Sequence, residues 1–124
     1  MNLQEIINLS TTLRKIIELD LPFALSYKLT KLMNIVDTNE HYYNTQVRAL
    51  LDKYAAREED GSFKQYENGD IELIQETQVE FHQKLGELRQ IEITDKLPTF
   101  KTAELETLSI SPRDLYTLLP LIEE

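Results

Sequence analysis

The longest regular pattern of apolar and polar positions runs from residue 22 to about residue 57. Its apolar side chains recur mostly at steps of three or four, the spacing that places side chains on one face of an α-helix. These residues are Leu25, Leu29, Leu32, Val36, Tyr43, Val47, Leu50 and Tyr54. The pattern resumes in phase after the polar run 37–40. We therefore predict one long helix of roughly 30 residues or more, about 45–50 Å in length at ~1.5 Å per residue.

Three shorter helices are predicted from the same spacing and from capping residues. The first covers about residues 2–18. Another begins at Thr77, which forms the pattern of a capping box with Glu80. The last covers about residues 111–119, with Ser111 as its N-cap and a proline at its first position.

The pair Asn68-Gly69 is the strongest signal for a β-hairpin in the chain. It lies between segments 63–66 and 71–74, both of which contain aromatic or branched apolar residues. A two-residue type I′ turn needs positive φ at both central positions and would pair Tyr66 directly with Ile71. Because an isolated two-stranded ribbon is barely stable in water, this hairpin needs a surface on which to dock.

Together these elements predict a mainly helical α+β fold in a single domain, residues 1–124. A long central helix and one Asn-Gly hairpin organise it, and the other helices pack on them. The alternation in residues 91–93 predicts a third short strand, which either joins the hairpin or lies at an edge elsewhere.

Charge changes this picture more than overall composition does. The net charge is −9, and residues 67–92 carry seven acids against Lys84 and Arg89. Such a surface would repel phosphates, so we predict no direct binding to nucleic acid. A solvated face is one interpretation of these acids; a surface for a basic partner is the other.

Sequence motifs for catalysis, metal binding or nucleotide binding are absent. The two histidines, His41 and His82, fall in different predicted helices, without a second ligand at metal-binding spacing. With three glycines and no cysteine, the chain can form neither a phosphate-cradling loop nor a thiolate site. We predict that the protein is not an enzyme and uses no cofactor, metal or small-molecule substrate.

The sequence shows neither an apolar run long enough to cross a bilayer nor the features of a signal peptide at its start. We therefore expect synthesis in the cytoplasm and no contact with a membrane. The candidate partner-binding residues are two tyrosines out of phase with the leucines of the long helix and three acids: Tyr27, Tyr42, Glu72, Glu76 and Glu80.

The order of several short motifs resembles small uncharacterised hypothetical proteins of tailed bacteriophages and prophages. The motifs are LPFALSYKL (21–29), LDKYA (51–55), EEDG (58–61), ENGDI (67–71), LSISPRDL (108–115) and LPLI (119–122). These motifs are structural, so the resemblance carries over no functional residue.

The resemblance implies a non-catalytic, protein-binding phage protein with a structural, assembly or virion-associated role. Its expected partner is another protein or a second copy of the chain, in the host cytoplasm or in the virion. The alternative is an acidic inhibitor of a host enzyme or defence complex, acting by mimicry of a nucleic-acid surface.

Overall fold

The computed structural model describes residues 1–106 and 108–123. It confirms the predicted class, a mainly helical α+β fold. The helices are α1 (Leu3–Ile16), α2 (Phe23–Tyr54), α3 (Gln78–Arg89), α4 (Thr102–Leu105) and α5 (Pro112–Leu118), with 3-10 turns at Gln75–Thr77 and Leu119–Leu121. Two short strands, β1 (Phe100–Lys101) and β2 (Ile122–Glu123), pair in parallel.

The chain forms two compact units. The first unit contains Met1–Glu40 and Glu92–Glu124, and the second unit is His41–Ile91. The long helix α2 contributes residues to both. The prediction of a single domain stays a prediction, which the cooperativity of unfolding can test.

The first unit contains the main hydrophobic core. Its buried members come from α1, the first half of α2 and the C-terminal elements: Ile6, Leu9, Leu13, Ile16, Leu25, Leu29, Leu32, Met33, Val36, Phe100, Leu105, Leu118 and Leu121. At the start of α1 the Asn2 side chain accepts a hydrogen bond from the Glu5 N–H, and the Glu5 carboxylate accepts one from the Asn2 N–H. This capping box fixes where the first helix begins.

The polar run in α2 stays helical, as the resumed phase predicts, and contacts within the first unit explain why. The Arg14 guanidinium of α1 lies 3.1 Å from a carboxylate oxygen of Asp37 and 3.4 Å from one of Glu40. The Asn39 amide donates to Asp95 at 3.1 Å. Tertiary partners thus hold a segment of modest helix propensity in the helix.

Three hydrogen bonds tie the C-terminal elements to the helices of the first unit. The Thr12 hydroxyl donates to the buried Asp114 carboxylate at 3.2 Å, and this joins α1 to α5. The Lys28 ammonium of α2 donates to the Thr99 carbonyl and to the Glu104 carboxylate, both at 2.9 Å. These bonds fix the last third of the chain on the core.

The second unit consists of the later turns of α2, helix α3 and a small group of segments joined by β-bridges. Three backbone hydrogen bonds close a ring: Ala56 donates to Glu72, Glu72 donates to Lys64, and Lys64 donates to Ala56, at 2.8–2.9 Å. Each of the three residues therefore uses both its N–H and its C=O within the ring. The segment after α2 provides the third partner of the hairpin, because Ala55 pairs with Leu73 and Arg57 with Phe63.

The predicted hairpin register is wrong by one residue. Gln65 pairs with Ile71, and Tyr66 donates to the Asp70 carbonyl at 2.8 Å, so the loop has three residues instead of two. Gly69 has φ +90°, whereas Asn68 is not among the residues with positive φ. The turn is thus a type I turn followed by a left-handed glycine, the usual three-residue alternative to type I′.

One further local prediction, the side-chain cap at Thr77, is wrong. Thr77 forms no side-chain cap on α3, because its hydroxyl donates instead to the Ile74 carbonyl at 2.9 Å. The strand predicted at residues 91–93 does not join the hairpin: Glu92 pairs with Asn2, and Ile93 donates to Met1 in the first unit. The observed pairing matches the second alternative, an edge elsewhere. The N-cap at Ser111 is confirmed, since its hydroxyl accepts from the Asp114 N–H.

Candidate functional site

The apolar face of α2 is covered unequally along its length. In the first unit Leu29, Leu32 and Val36 are almost completely buried. In the second unit Val47 and Leu50 have the same helical phase but are only half-buried. Apolar surface that stays in water costs roughly 25 cal/mol per Å² relative to burial. A partner that covers this face would therefore lower the free energy.

A groove opens in the second unit beside this half-covered face. We call it the hairpin groove; it has a volume of about 620 Å³, and its lining includes Leu51, Tyr66, Asp70, Ile71, Phe81 and His82. Tyr66 is 52% exposed, and Asp70 is exposed beside it at the hairpin loop. The groove is large enough for one or two side chains of a partner, because binding pockets usually measure about 300–1,000 Å³.

Aromatic rings in edge-to-face contact form and support one wall of the hairpin groove. The Phe81 ring packs edge-on against Tyr54, with 6.1 Å between ring centroids, and against His82, with 5.4 Å. Tyr54 and Phe81 are buried, whereas His82 is exposed. Edge-to-face pairs of this kind favour a fixed geometry. The groove therefore offers a preformed apolar wall with a polar rim.

A second groove, which we call the helix groove, lies between α2 and α3 in the same unit. It measures about 420 Å³, and its lining includes Tyr42, Gln46, Leu50, Lys84, Leu88 and Ile91. The predicted binding residue Tyr42 is 46% exposed here. Its binding role stays a prediction. Tyr42 lies beside the half-buried Val47 and Leu50, and we call the surface of these three residues the seam.

The acids of the second unit are unneutralised around the hairpin. Within the described residues, no carboxylate from Glu58 to Glu80 forms an ion pair, and Lys64 is the one base in that stretch. The Ser62 hydroxyl and N–H donate to Asp60 at 2.6 and 3.0 Å, and these hydrogen bonds lower the pKa of Asp60 below its ordinary value. The hairpin thus presents a negative surface at neutral pH.

The three predicted acids do not line either groove. Glu76 and Glu80 are exposed, and Glu72 is half-buried on the hairpin. Asp70, which sequence reasoning did not single out, is the acid that lines the hairpin groove. Glu76 lies in the 3-10 turn and Glu80 on α3, both outside the hairpin, whereas Asp70 directly follows the hairpin loop.

The remaining candidate, Tyr27, lies in the first unit at the start of α2. Phe23 is 96% exposed and Tyr27 is 63% exposed one turn later. The Lys31 ammonium sits 4.7 Å from the centroid of the Tyr27 ring, a cation–π geometry. We call these three residues, spaced four apart on one side of the helix, the aromatic ridge. The position of Phe23, out of phase with the leucines, is a signal in the sequence that could have identified it.

Two classes of site receive no support from the geometry. Among residues 1–106 and 108–123, no group of three or more His, Asp or Glu side chains could hold a metal ion. None of the helices in the described part of the chain is long and apolar enough to cross a membrane.

Comparison with protein-family models, curated proteins and solved structures gives no match to this chain.

Proposed function

We propose that this is a non-catalytic protein-binding protein of a tailed phage, with a structural, assembly or virion-associated role, that works as an oligomer. One observation carries the binding part of the proposal: the apolar face of α2 is only half covered in the second unit. The phage setting rests on the sequence resemblance given above.

Physical chemistry favours binding over a solitary monomer. Val47 and Leu50 leave apolar surface in water, and Tyr42 adds an exposed ring beside them. Tyrosine is enriched at protein interfaces because it combines a large apolar ring with a hydrogen-bonding group. Covering this seam with another protein would remove apolar area from water without the need to order a new segment.

Two measurements test the proposal. Sedimentation equilibrium between about 1 and about 200 µM should give a mass above that of the monomer, rising with concentration. Mass spectrometry of purified phage particles from cells that express the gene should detect the chain in stoichiometric amounts. A monomer at every concentration, together with its absence from particles and from assembly intermediates, would refute the proposal.

A second candidate, the acidic inhibitor, is favoured by the unpaired carboxylates around the hairpin. Such a protein would bind a basic surface, and the affinity would fall as added salt screens the charges. The triple variant of Glu72, Glu76 and Glu80 to Lys should then lose a basic partner with an unchanged melting temperature. If binding to assembly partners survives this reversal, the structural role is favoured over mimicry.

A further inference from the structure

The first unit carries an exposed ridge that includes a lysine, and the second unit carries an open groove that includes an aspartate. We propose that the aromatic ridge of one copy (Phe23, Tyr27, Lys31) docks in the hairpin groove of a second copy. The inference rests on the proposed oligomeric function and names the two surfaces that would meet. Both are intact surfaces of the same chain, so no further partner is required.

The ridge needs an explanation because its two aromatic rings are exposed in the described part of the chain. Phe23 is 96% exposed, the highest value among the large apolar residues identified as exposed in the described chain. Residues four apart on a helix have Cβ atoms about 5–6 Å apart, so Phe23 and Tyr27 project together. A pair of aromatic rings in water is the kind of anchor that fills a pocket at the centre of an interface.

The hairpin groove matches this anchor in size and in character. Its volume of about 620 Å³ can hold two rings, and Leu51, Ile71 and Phe81 provide apolar walls. Tyr66, half exposed at the rim, offers a third ring for edge-to-face contact with the incoming ones. Burial of Phe23 and Tyr27 there would cover apolar surface on both copies.

Charge selects the orientation. The ridge ends in Lys31, and the groove contains Asp70. Neither side chain forms an ion pair with a described residue, and the Asp70 carboxylate accepts a hydrogen bond from the Asn68 amide. Docking that places Lys31 against Asp70 pairs a cation with the acidic hairpin. Glu18 and Asp20 precede the other end of the ridge, so the reverse orientation would bring acids against acids.

Such a contact is heterologous, because a surface of the first unit meets a different surface of the second unit. Each copy then retains one free ridge or one free groove, and association continues until a ring closes or a longer assembly forms. This outcome differs from a two-fold dimer, in which one surface meets itself.

Complementation between two defective variants tests the inference. The ridge variant is Phe23→Ser with Tyr27→Ser, and the groove variant is Tyr66→Ser with Asp70→Lys. All four side chains are largely exposed, so both variants should fold with an unchanged melting temperature. Tyr116→Ser is the matched control, since Tyr116 is a 75% exposed tyrosine outside both surfaces.

Sedimentation velocity should show that each variant alone associates at least about tenfold more weakly than the wild type, a loss of about 1.4 kcal/mol. An equimolar mixture should form dimers and stop there, because only one intact ridge and one intact groove can meet. The control should associate as the wild type does. Should the groove variant fail to fold, a charge reversal replaces it. Asp70→Lys alone should lose association, and the double variant Asp70→Lys with Lys31→Asp should regain it.

Three results would overturn the inference. Variants that associate like the wild type would show that oligomers form elsewhere, while the proposed function stands. Two monomeric variants whose mixture remains monomeric would show that ridge and groove do not meet each other. A wild-type chain that stays monomeric but whose groove binds a lysine-rich, leucine-centred peptide would assign the groove to a foreign basic partner.

Discussion

Leucine-to-alanine substitutions at two positions of α2 measure how much of its apolar face is covered within one chain. Leu32 lies in the first unit and is completely buried, whereas Leu50 lies in the second unit and is half-buried. Truncation at Leu32 removes buried carbon atoms and leaves a cavity, so it should cost about 2–5 kcal/mol. At Leu50 only part of the transfer term of ~0.8 kcal/mol per methylene applies and no closed cavity forms, so the cost should be smaller, about 1–2 kcal/mol.

Urea denaturation followed by circular dichroism gives both values. The midpoints should fall for both variants with an unchanged slope, and the fall should be larger for Leu32→Ala. For a chain of this length each kcal/mol lowers the melting temperature by about 3–5 °C. The measurements belong at the lowest usable concentration, where association contributes least.

An equal loss at both positions would contradict the reasoning. If the equality holds at every protein concentration, Leu50 is buried within the monomer and the seam is no binding surface. If the Leu50→Ala cost instead grows with concentration, the missing coverage comes from a second copy, as the proposed function requires.

The remaining predictions concern other elements. Gly69→Val should destabilise the fold by about 1–2 kcal/mol, because φ +90° strains a β-branched residue, whereas Gly86→Ala, with open space at its Cβ, should stabilise α3 by up to about 1 kcal/mol in chemical denaturation. Asp114→Ala should cost about 1–3 kcal/mol, since the buried carboxylate accepts the Thr12 hydroxyl, and Asp114→Asn should cost less in the same assay. The Lys101 N–H and the Lys28 ammonium hold the pKa of Glu104 below the ordinary value of a glutamate. The stabilising contribution of Glu104 is therefore present above that ordinary pKa and lost as pH falls through the lowered one, and Lys28→Met should reduce this loss in acid titrations of stability. Calorimetry should give one cooperative transition if residues 1–124 are a single domain, and two if the units unfold separately.

Helices were predictable because their determinants are local. The leucine spacing of α2 and the Ser111 cap act within a turn or two of helix, and both are where the sequence indicates. The exposure of Tyr27 and Tyr42 follows from the same helical spacing, since both are out of phase with the buried leucines. Their role in binding stays a prediction.

The hairpin shows where local reasoning stops. Asn68-Gly69 correctly indicated a turn, but two turn types accept that pair and differ by one residue in register. In the structure the three-residue loop accompanies pairing with the segment 55–57, which completes the hydrogen-bonded ring with Lys64 and Glu72. That segment follows α2 and lies outside the few residues that define a turn motif.

By itself, the sequence determined the helices, the fold class and the acidic character of the second half, because periodicity, capping and charge are properties of neighbouring residues. Only the tertiary structure decided the parallel pairing of Phe100 with Ile122, the half-coverage of α2 at Leu50, and the meeting of Phe81 with the hairpin around one groove. The physical reason is the same in each case: burial and strand pairing depend on atoms that are distant in the chain. How much of a helix face is covered depends on which other segments pack against it.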